Sequence, residues 1–169
     1  VYEHGHHGNA ILSRFPILTS ENADVSDHRF ERRGLLHCVV TVPGWRRNLH
    51  CVCVHLSLHE RGRRRQLDAI AERLEQLASK DLPIVVAGDF NVASREQDAA
   101  GGTSGRPWHP SCKPWERQAF VDFCRATELT DSYAALNQDE ETDFTWFRNR
   151  EYERRNLGLR LDYVLVSPE

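Results

Sequence analysis

Methionine is absent from all 169 residues, and the chain opens on Val1. A processed or cropped product of a longer reading frame is therefore expected. No apolar run approaches the roughly 18 residues of a membrane-spanning helix. No charged-then-apolar leader opens the chain, so no export signal is visible. Cysteine is scarce and shows no framework: Cys38, Cys51, Cys53, Cys112 and Cys124 are an odd number at irregular spacing. That pattern excludes a disulfide scaffold and suits a reducing compartment, so a cytoplasmic location is expected. A dominant charge is also missing. The net charge of −3 argues against sequence-blind nucleic-acid binding by bulk charge, though a local basic patch remains open. There is no internal repeat, linker or low-complexity tract. With 40% hydrophobic and 28% charged residues, the composition is that of an ordinary globular chain. One domain over residues 1–169 is expected.

Several segments carry a periodic signal. Asn9 to Phe15 reads as a short strand stopped by Pro16, and the polar stretch 19–33 reads as a loop. Leu35 to Val42 and Leu49 to Leu56 read as a hairpin around Pro43-Gly44. Both faces of the second strand carry apolar residues, which places it in a sheet covered on both sides. Leu67, Ile70, Ala71, Leu74, Leu77 and Ala78 form one stripe, predicting a helix over Arg63 to Ser79. Ile84 to Ala87 is a short buried strand ending in Gly88. Residues 94–113 form a long polar loop of the kind that is often functional. Pro114 to Thr127 reads as a second helix with proline near its first position; Trp115, Ala119, Phe120, Phe123 and Cys124 form its expected buried stripe. Phe144 to Phe147 and Leu159 to Val166 read as strands.

Three places combine chemistry with an apolar strand. Gly88-Asp89-Phe90-Asn91 ends a buried strand in a carboxylate and an amide. In an extended chain these two side chains share a face, with Cα atoms roughly 7 Å apart. Such oxygen donors at the carboxyl end of a strand suit Mg²⁺ and a phosphate; an ordinary Asx turn is the alternative. His55 shares its strand face with Cys51 and Cys53, which fits a buried neutral histidine or, less readily, a zinc ligand. Asp162 lies inside an apolar strand, where an unpaired charge is costly. It either pairs with Arg160 at a sheet edge or serves as a site carboxylate.

Taken in order, Gly8-Asn9-Ala10-Ile11-Leu12-Ser13-Arg14, Val54-His55-Leu56, Gly88-Asp89-Phe90-Asn91 and Arg160-Leu161-Asp162-Tyr163 resemble the endonuclease/exonuclease/phosphatase superfamily. That group includes pancreatic-type DNase, exonuclease III, abasic-site endonucleases, inositol-polyphosphate 5-phosphatases and neutral sphingomyelinases. The resemblance implies an α/β (α+β) fold of two packed mixed β-sheets flanked by helices, a four-layer DNase-like sandwich, incomplete here. It implies a Mg²⁺-dependent phosphoester hydrolase, with Mn²⁺ as the alternative ion. By the same resemblance His55 contacts the scissile phosphate or the leaving oxygen. Asp89 orients or deprotonates the attacking water, Asn91 holds the phosphate and Asp89, and Asp162 pairs with a catalytic histidine. Asp89 and Asn91 are the implied metal ligands, and Asn9, Arg33 and Arg160 the implied phosphate or substrate contacts. The family's upstream Asn and Glu and its terminal Ser-Asp-His find no counterpart in place. Ser26-Asp27-His28 lies between early strands and reads as a coincidental turn. Inactivity, or even unstable folding, of the isolated chain is one expectation, because missing strands expose sheet edges.

The substrate is less determined than the mechanism. Nothing resembles a Ser or Cys nucleophile site, so direct attack by water is expected. The stretch from Trp115-Glu116-Arg117 through Phe144-Thr145-Trp146-Phe147 to Arg155-Asn156-Leu157 is similar to exonuclease III and abasic-site endonucleases. This implies DNA contacts from Trp146, Arg155 and Asn156; core packing is the alternative for Trp146 and Phe147. Arg61, Arg63, Arg64 and Arg65 read as a solvated charged face. The expected partner is DNA or another phosphate ester, with no membrane and no obligate protein partner. A phosphatase of small or lipid phosphates, and an inactive binding module, are the competing readings.

Overall fold

Six strands hydrogen-bond into one mixed sheet in the order β1-β2-β3-β4-β6-β5. They are β1 (Ile17–Asp24), β2 (Gly34–Val40), β3 (Leu49–His55), β4 (Ile84–Asp89), β5 (Thr130–Asp131) and β6 (Asp162–Val166). The helices are α1 (Glu60–Ala78), α2 (Pro114–Thr127), α3 (Ser132–Leu136) and α4 (Arg150–Arg154). This computed structural model describes residues 8–27, 32–78, 82–106, 109–137 and 142–168. His28 and residues 1–7 therefore lie outside the described residues, as does Glu31.

β2 and β3 form the expected hairpin, pairing antiparallel from Leu35↔Val54 to Val40↔Leu49. β3 and β4 run parallel, which requires a crossover, and α1 supplies it. Alternate strand residues point to opposite faces, so Leu35, Val52, Val54, Val86, Tyr163 and Leu165 share one face. They form a single core with Leu67, Ile70, Leu74 and Leu77 of α1 and Phe120 and Phe123 of α2. Phe90 is fully buried at its centre, edge-on to Phe120 at 5.4 Å and to Tyr163 at 5.6 Å. α2 begins as expected, with Pro114 in its first turn. Glu116 there accepts a bond from Lys113 N at 3.1 Å, satisfying a donor at the helix start.

The α/β class expected from the sequence is present as a six-stranded mixed sheet with helices packed on it. A second sheet is not among the described residues. Four local expectations need correction. Residues 9–15 form no strand; the edge strand is β1, inside the stretch read as a loop. β1 is almost entirely exposed, so its sequence ILTSENAD carries no apolar alternation, and its pairing with β2 comes from backbone bonds. Phe144 to Phe147 makes only an isolated bridge, Trp146↔Leu159, and the β6 ladder starts at Asp162 rather than Leu159. Trp115 is 55% exposed and does not join the α2 core stripe. β5, α3 and α4 are too short to show a period. No helix among the described residues is long and apolar enough to cross a membrane.

Candidate active site

Strand register alone gathers the first three candidates. His55 is the ladder partner of Asp89, and Asp89 is the partner of Asp162. The three residues therefore form one row across β3, β4 and β6 at one end of the sheet, on the face opposite α1 and α2. His55 Nε2 lies 3.4 Å from Asp89 Oδ2, with the two side chains 47% and 27% exposed. The row is open to solvent at both ends, His55 and Asp162, and half-buried at its centre.

The close approach of β4 to β3 depends on Gly88. Its φ is +138°, and a Cβ there would sit 1.9 Å from the Val54 carbonyl oxygen. Beyond Asp89 the chain turns sharply. Asn91 takes φ +52°, its backbone N–H donates to Asp89 Oδ1 at 2.8 Å, and Asp89 thus forms the Asx turn foreseen as the alternative. The turn and a site role coexist, because one carboxylate oxygen caps the turn while the other faces His55. Asn91 is buried, and its Nδ2 donates to the Leu56 carbonyl at 2.8 Å. Leu56 N donates back to Asp89 O at 2.8 Å, and Phe90 N donates to Leu161 O at 2.9 Å. Residues 89–91 are thereby pinned to both neighbouring strands.

Burial pushes the Asp89 carboxyl above its ordinary range, and the Asp162 charge adds to that shift; the Asn91 N–H, His55 and Arg33 oppose it. Arg33 thus lies within electrostatic reach of Asp89, where a phosphate contact was expected. Thr145 Oγ1 accepts bonds from Leu161 N and Asp162 N at 3.0 and 3.2 Å, fixing the start of β6. The histidine partner expected for Asp162 is not among the described residues. Its neighbour in register is Asp89.

Other candidates fall elsewhere. Asn9 Nδ2 donates to Gly34 O at 2.7 Å and Cys53 O at 2.9 Å, so its amide clamps β2 to β3. Arg160, expected to touch substrate, is 2% exposed. Its Nε and Nη2 donate to the two Asp98 oxygens at 2.9 Å each, and Nη2 also reaches Asp131 Oδ2 at 2.7 Å. Its guanidinium also stacks 4.2 Å above the Tyr163 ring. Burial works against the charge, but the bonds to Asp98 and Asp131 outweigh it and hold Arg160 above its usual range. With its donors spent internally, Arg160 belongs to the core, and the Arg160–Asp162 pair weighed as the alternative for Asp162 does not form. Trp146 is 39% exposed, and its ring lies 5.9 Å from that of His109. Arg155 is exposed, 3.5 Å from Glu151, and the exposed Asn156 takes φ +50°. Sequence reasoning missed His109, because the loop that carries it has no period. It also placed Arg63 on a solvated face, whereas Arg63 is 3% exposed.

No cluster of three or more His, Cys, Asp or Glu able to hold a metal occurs among the described residues. Cys51, Cys53 and His55, though on one strand face, therefore form no such cluster, which counts against the zinc alternative. For magnesium the donor chemistry fits in part. Asp89 and Asp162 offer hard carboxylate oxygens, Asn91 is a third oxygen-bearing residue beside them, and Mg²⁺ ordinarily keeps several waters.

Comparison with known proteins places the chain in a family. The uncharacterized protein YbhP of Escherichia coli is 48% identical over 91 residues, covering 54% of this chain and 36% of its own length. An exodeoxyribonuclease of Bacillus subtilis is 28% identical over 172 residues, covering 96% of this chain and 64% of its own length. Among solved structures, the 3'-5' exonuclease NExo of Neisseria meningitidis superposes with a TM-score of 0.74 at 25% identity, covering 92% of this chain and 60% of its own. The chain thus spans from about a third to under two thirds of these relatives. The model of the Endonuclease/Exonuclease/phosphatase family matches residues 1–169, and the chain belongs to that family.

Proposed function

We propose that this chain carries the centre of a magnesium-dependent phosphoester hydrolase acting on DNA in the manner of exonuclease III. The observation that carries the reading is the single register row of His55, Asp89 and Asp162, with Asn91 anchored beside it. Asp89, Asn91 and Asp162 would hold the ion, with Mn²⁺ as a substitute. When bound, the ion supplies positive charge against the phosphate oxygens. Asp89 Oδ2, half-buried and facing His55, accepts the proton of the attacking water. His55 Nε2, on the solvent side of the row, donates to a phosphate or departing oxygen. Asn91 fixes Asp89 through its backbone N–H. The attack is direct, with no covalent enzyme intermediate.

Two features support DNA over a small or lipid phosphate. The relatives that span most of this chain are named as an exodeoxyribonuclease and a 3'-5' exonuclease. The exposed Trp146 precedes α4 by four residues in the chain, and α4 with its C-cap carries Arg150, Arg154 and Arg155. Trp146, Arg155 and Asn156 would contact the nucleic acid. Arginine contacts to phosphate position a duplex and make its binding salt-dependent.

The test is a substrate panel on the natural full-length protein: abasic duplex DNA, 3′-phosphate DNA and an inositol phosphate, each with Mg²⁺ and with chelator. The expected result is turnover of a DNA substrate that chelator abolishes and that Asp89→Ala removes. Turnover of the inositol phosphate alone establishes the phosphatase reading instead. No turnover with Mg²⁺ leaves a binding module.

A further inference from the structure

We propose that Arg63 is a positioning residue for the His55–Asp89 centre, tying the exit of β3 to the loop that carries His109. This inference rests on the hydrolase reading above. Arg63 is buried, yet its guanidinium gathers acceptors from three segments. Nη1 donates to Ser57 O at 2.7 Å and Leu58 O at 3.2 Å. Nη2 donates to Pro110 O at 3.1 Å and to the buried carboxylate of Glu116. A buried charge so paired is costly to disturb from either side.

Two of these three segments lead back to the row. Ser57 follows His55 by two residues, and the intervening Leu56 carbonyl accepts the Asn91 amide. Two further residues of α1 seat the same exit. Gln66 Oε1 accepts from Ser57 N at 2.8 Å. Gly62 leaves only 3.1 Å between a would-be Cβ and the Ser57 side chain. On the other side, Pro110 sits between His109, whose ring faces Trp146, and Ser111, whose carbonyl accepts from Ala93 N at 2.7 Å. Ala93 lies two residues past Asn91. The path therefore runs from His55 through Ser57, Arg63 and Pro110 to both Ala93 and the His109–Trp146 ring contact. Arg63 touches none of the expected reacting atoms; it fixes the spacing of those that do. Planar guanidinium serves this role where ammonium does not, because four acceptors lie in different directions.

The test compares Arg63→Lys and Arg63→Gln with wild type in the natural full-length protein, with Arg64→Lys as an exposed neighbour. Thermal midpoint, kcat and KM are measured on the best DNA substrate with Mg²⁺. The expected result is a kcat lowered about tenfold or more in folded Arg63→Lys and further in Arg63→Gln. KM stays within about twofold and Arg64→Lys is unchanged, the mark of geometry lost in the transition state. Folded variants that keep wild-type kcat, or that raise KM alone, overturn the inference. Failure of both variants to fold also overturns it, by assigning Arg63 to the fold alone. A wild type without metal-dependent turnover overturns the hydrolase reading together with this inference, whereas an active wild type with unaffected variants overturns only the latter.

Discussion

Replacing Gly88 with alanine attacks the candidate site through the backbone without removing any functional group. A Cβ at residue 88 would sit 1.9 Å from the Val54 oxygen, whereas real Cβ contacts essentially never fall under 3.0 Å. The two strands must therefore separate by at least about 1.1 Å at Val54↔Gly88, the rung beside His55↔Asp89. The φ of +138° adds strain that alanine cannot relieve. Backbone strain of about 1–3 kcal/mol and overpacking of about 1–3 kcal/mol give a loss of roughly 2–6 kcal/mol in stability. A displacement near 1 Å between His55 and Asp89 costs turnover about 100-fold. Gly44→Ala is the control, because its φ of +83° is also positive but nothing lies within 4 Å. It should cost about 1 kcal/mol and leave turnover unchanged. Denaturant unfolding and steady-state turnover measure both effects. A Gly88→Ala protein with stability within about 0.5 kcal/mol of wild type and kcat within twofold would refute the reasoning.

Three further outcomes are expected. His37 and His50 form a buried pair 2.9 Å apart, and burial first, then the charges of His50 and Arg73, lower the His37 pKa against a weaker pull from Glu21. The unfolded chain then binds more protons, so stability present above about pH 6.5 is lost on acidification by up to about 1.4 kcal/mol per pH unit. His37→Gln should flatten this loss in thermal melts between pH 7 and 5, and an unchanged slope contradicts the assignment. Arg160→Met leaves Arg95 as the remaining cation on the buried Asp98, takes a partner from Asp131, and should cost about 1.5–3 kcal/mol by chemical denaturation; a loss of DNA affinity without destabilisation would return Arg160 to the substrate contacts. Arg155→Ala should shift stability by less than about 0.5 kcal/mol while lowering the salt slope of DNA binding by about one; an unaltered slope removes Arg155 from the interface.

What the sequence made legible follows from where polarity interrupts an apolar pattern. Asp89 stands out because Ile84 to Ala87 is uniformly apolar before it, and Asp162 because Leu161 and Tyr163 flank it. Their meeting needed only the register of three strands. Arg160 and Arg63 were misread for one shared reason. A charged letter reads as surface or ligand contact, and nothing local reveals that Asp98, Asp131 and Glu116 lie folded against it. β1 was illegible because an exposed edge strand obeys its neighbour's backbone and not its own side chains. His109 lay in a loop without periodicity, and its packing on Trp146 arises from contacts far apart in sequence.

The row at the sheet's end is tested most directly by single-turnover cleavage of 3′-phosphate DNA by Asp89→Asn in the natural full-length protein. Asparagine keeps the shape and can still accept the bond from Asn91 N, but it cannot take the water proton. The expected result is a rate at least about a thousandfold lower, as for loss of a general base combined with an ion ligand, with a thermal midpoint no lower than wild type, because the variant removes the charge that burial and Asp162 disfavour. Cleavage at the wild-type rate by the folded variant would contradict the account.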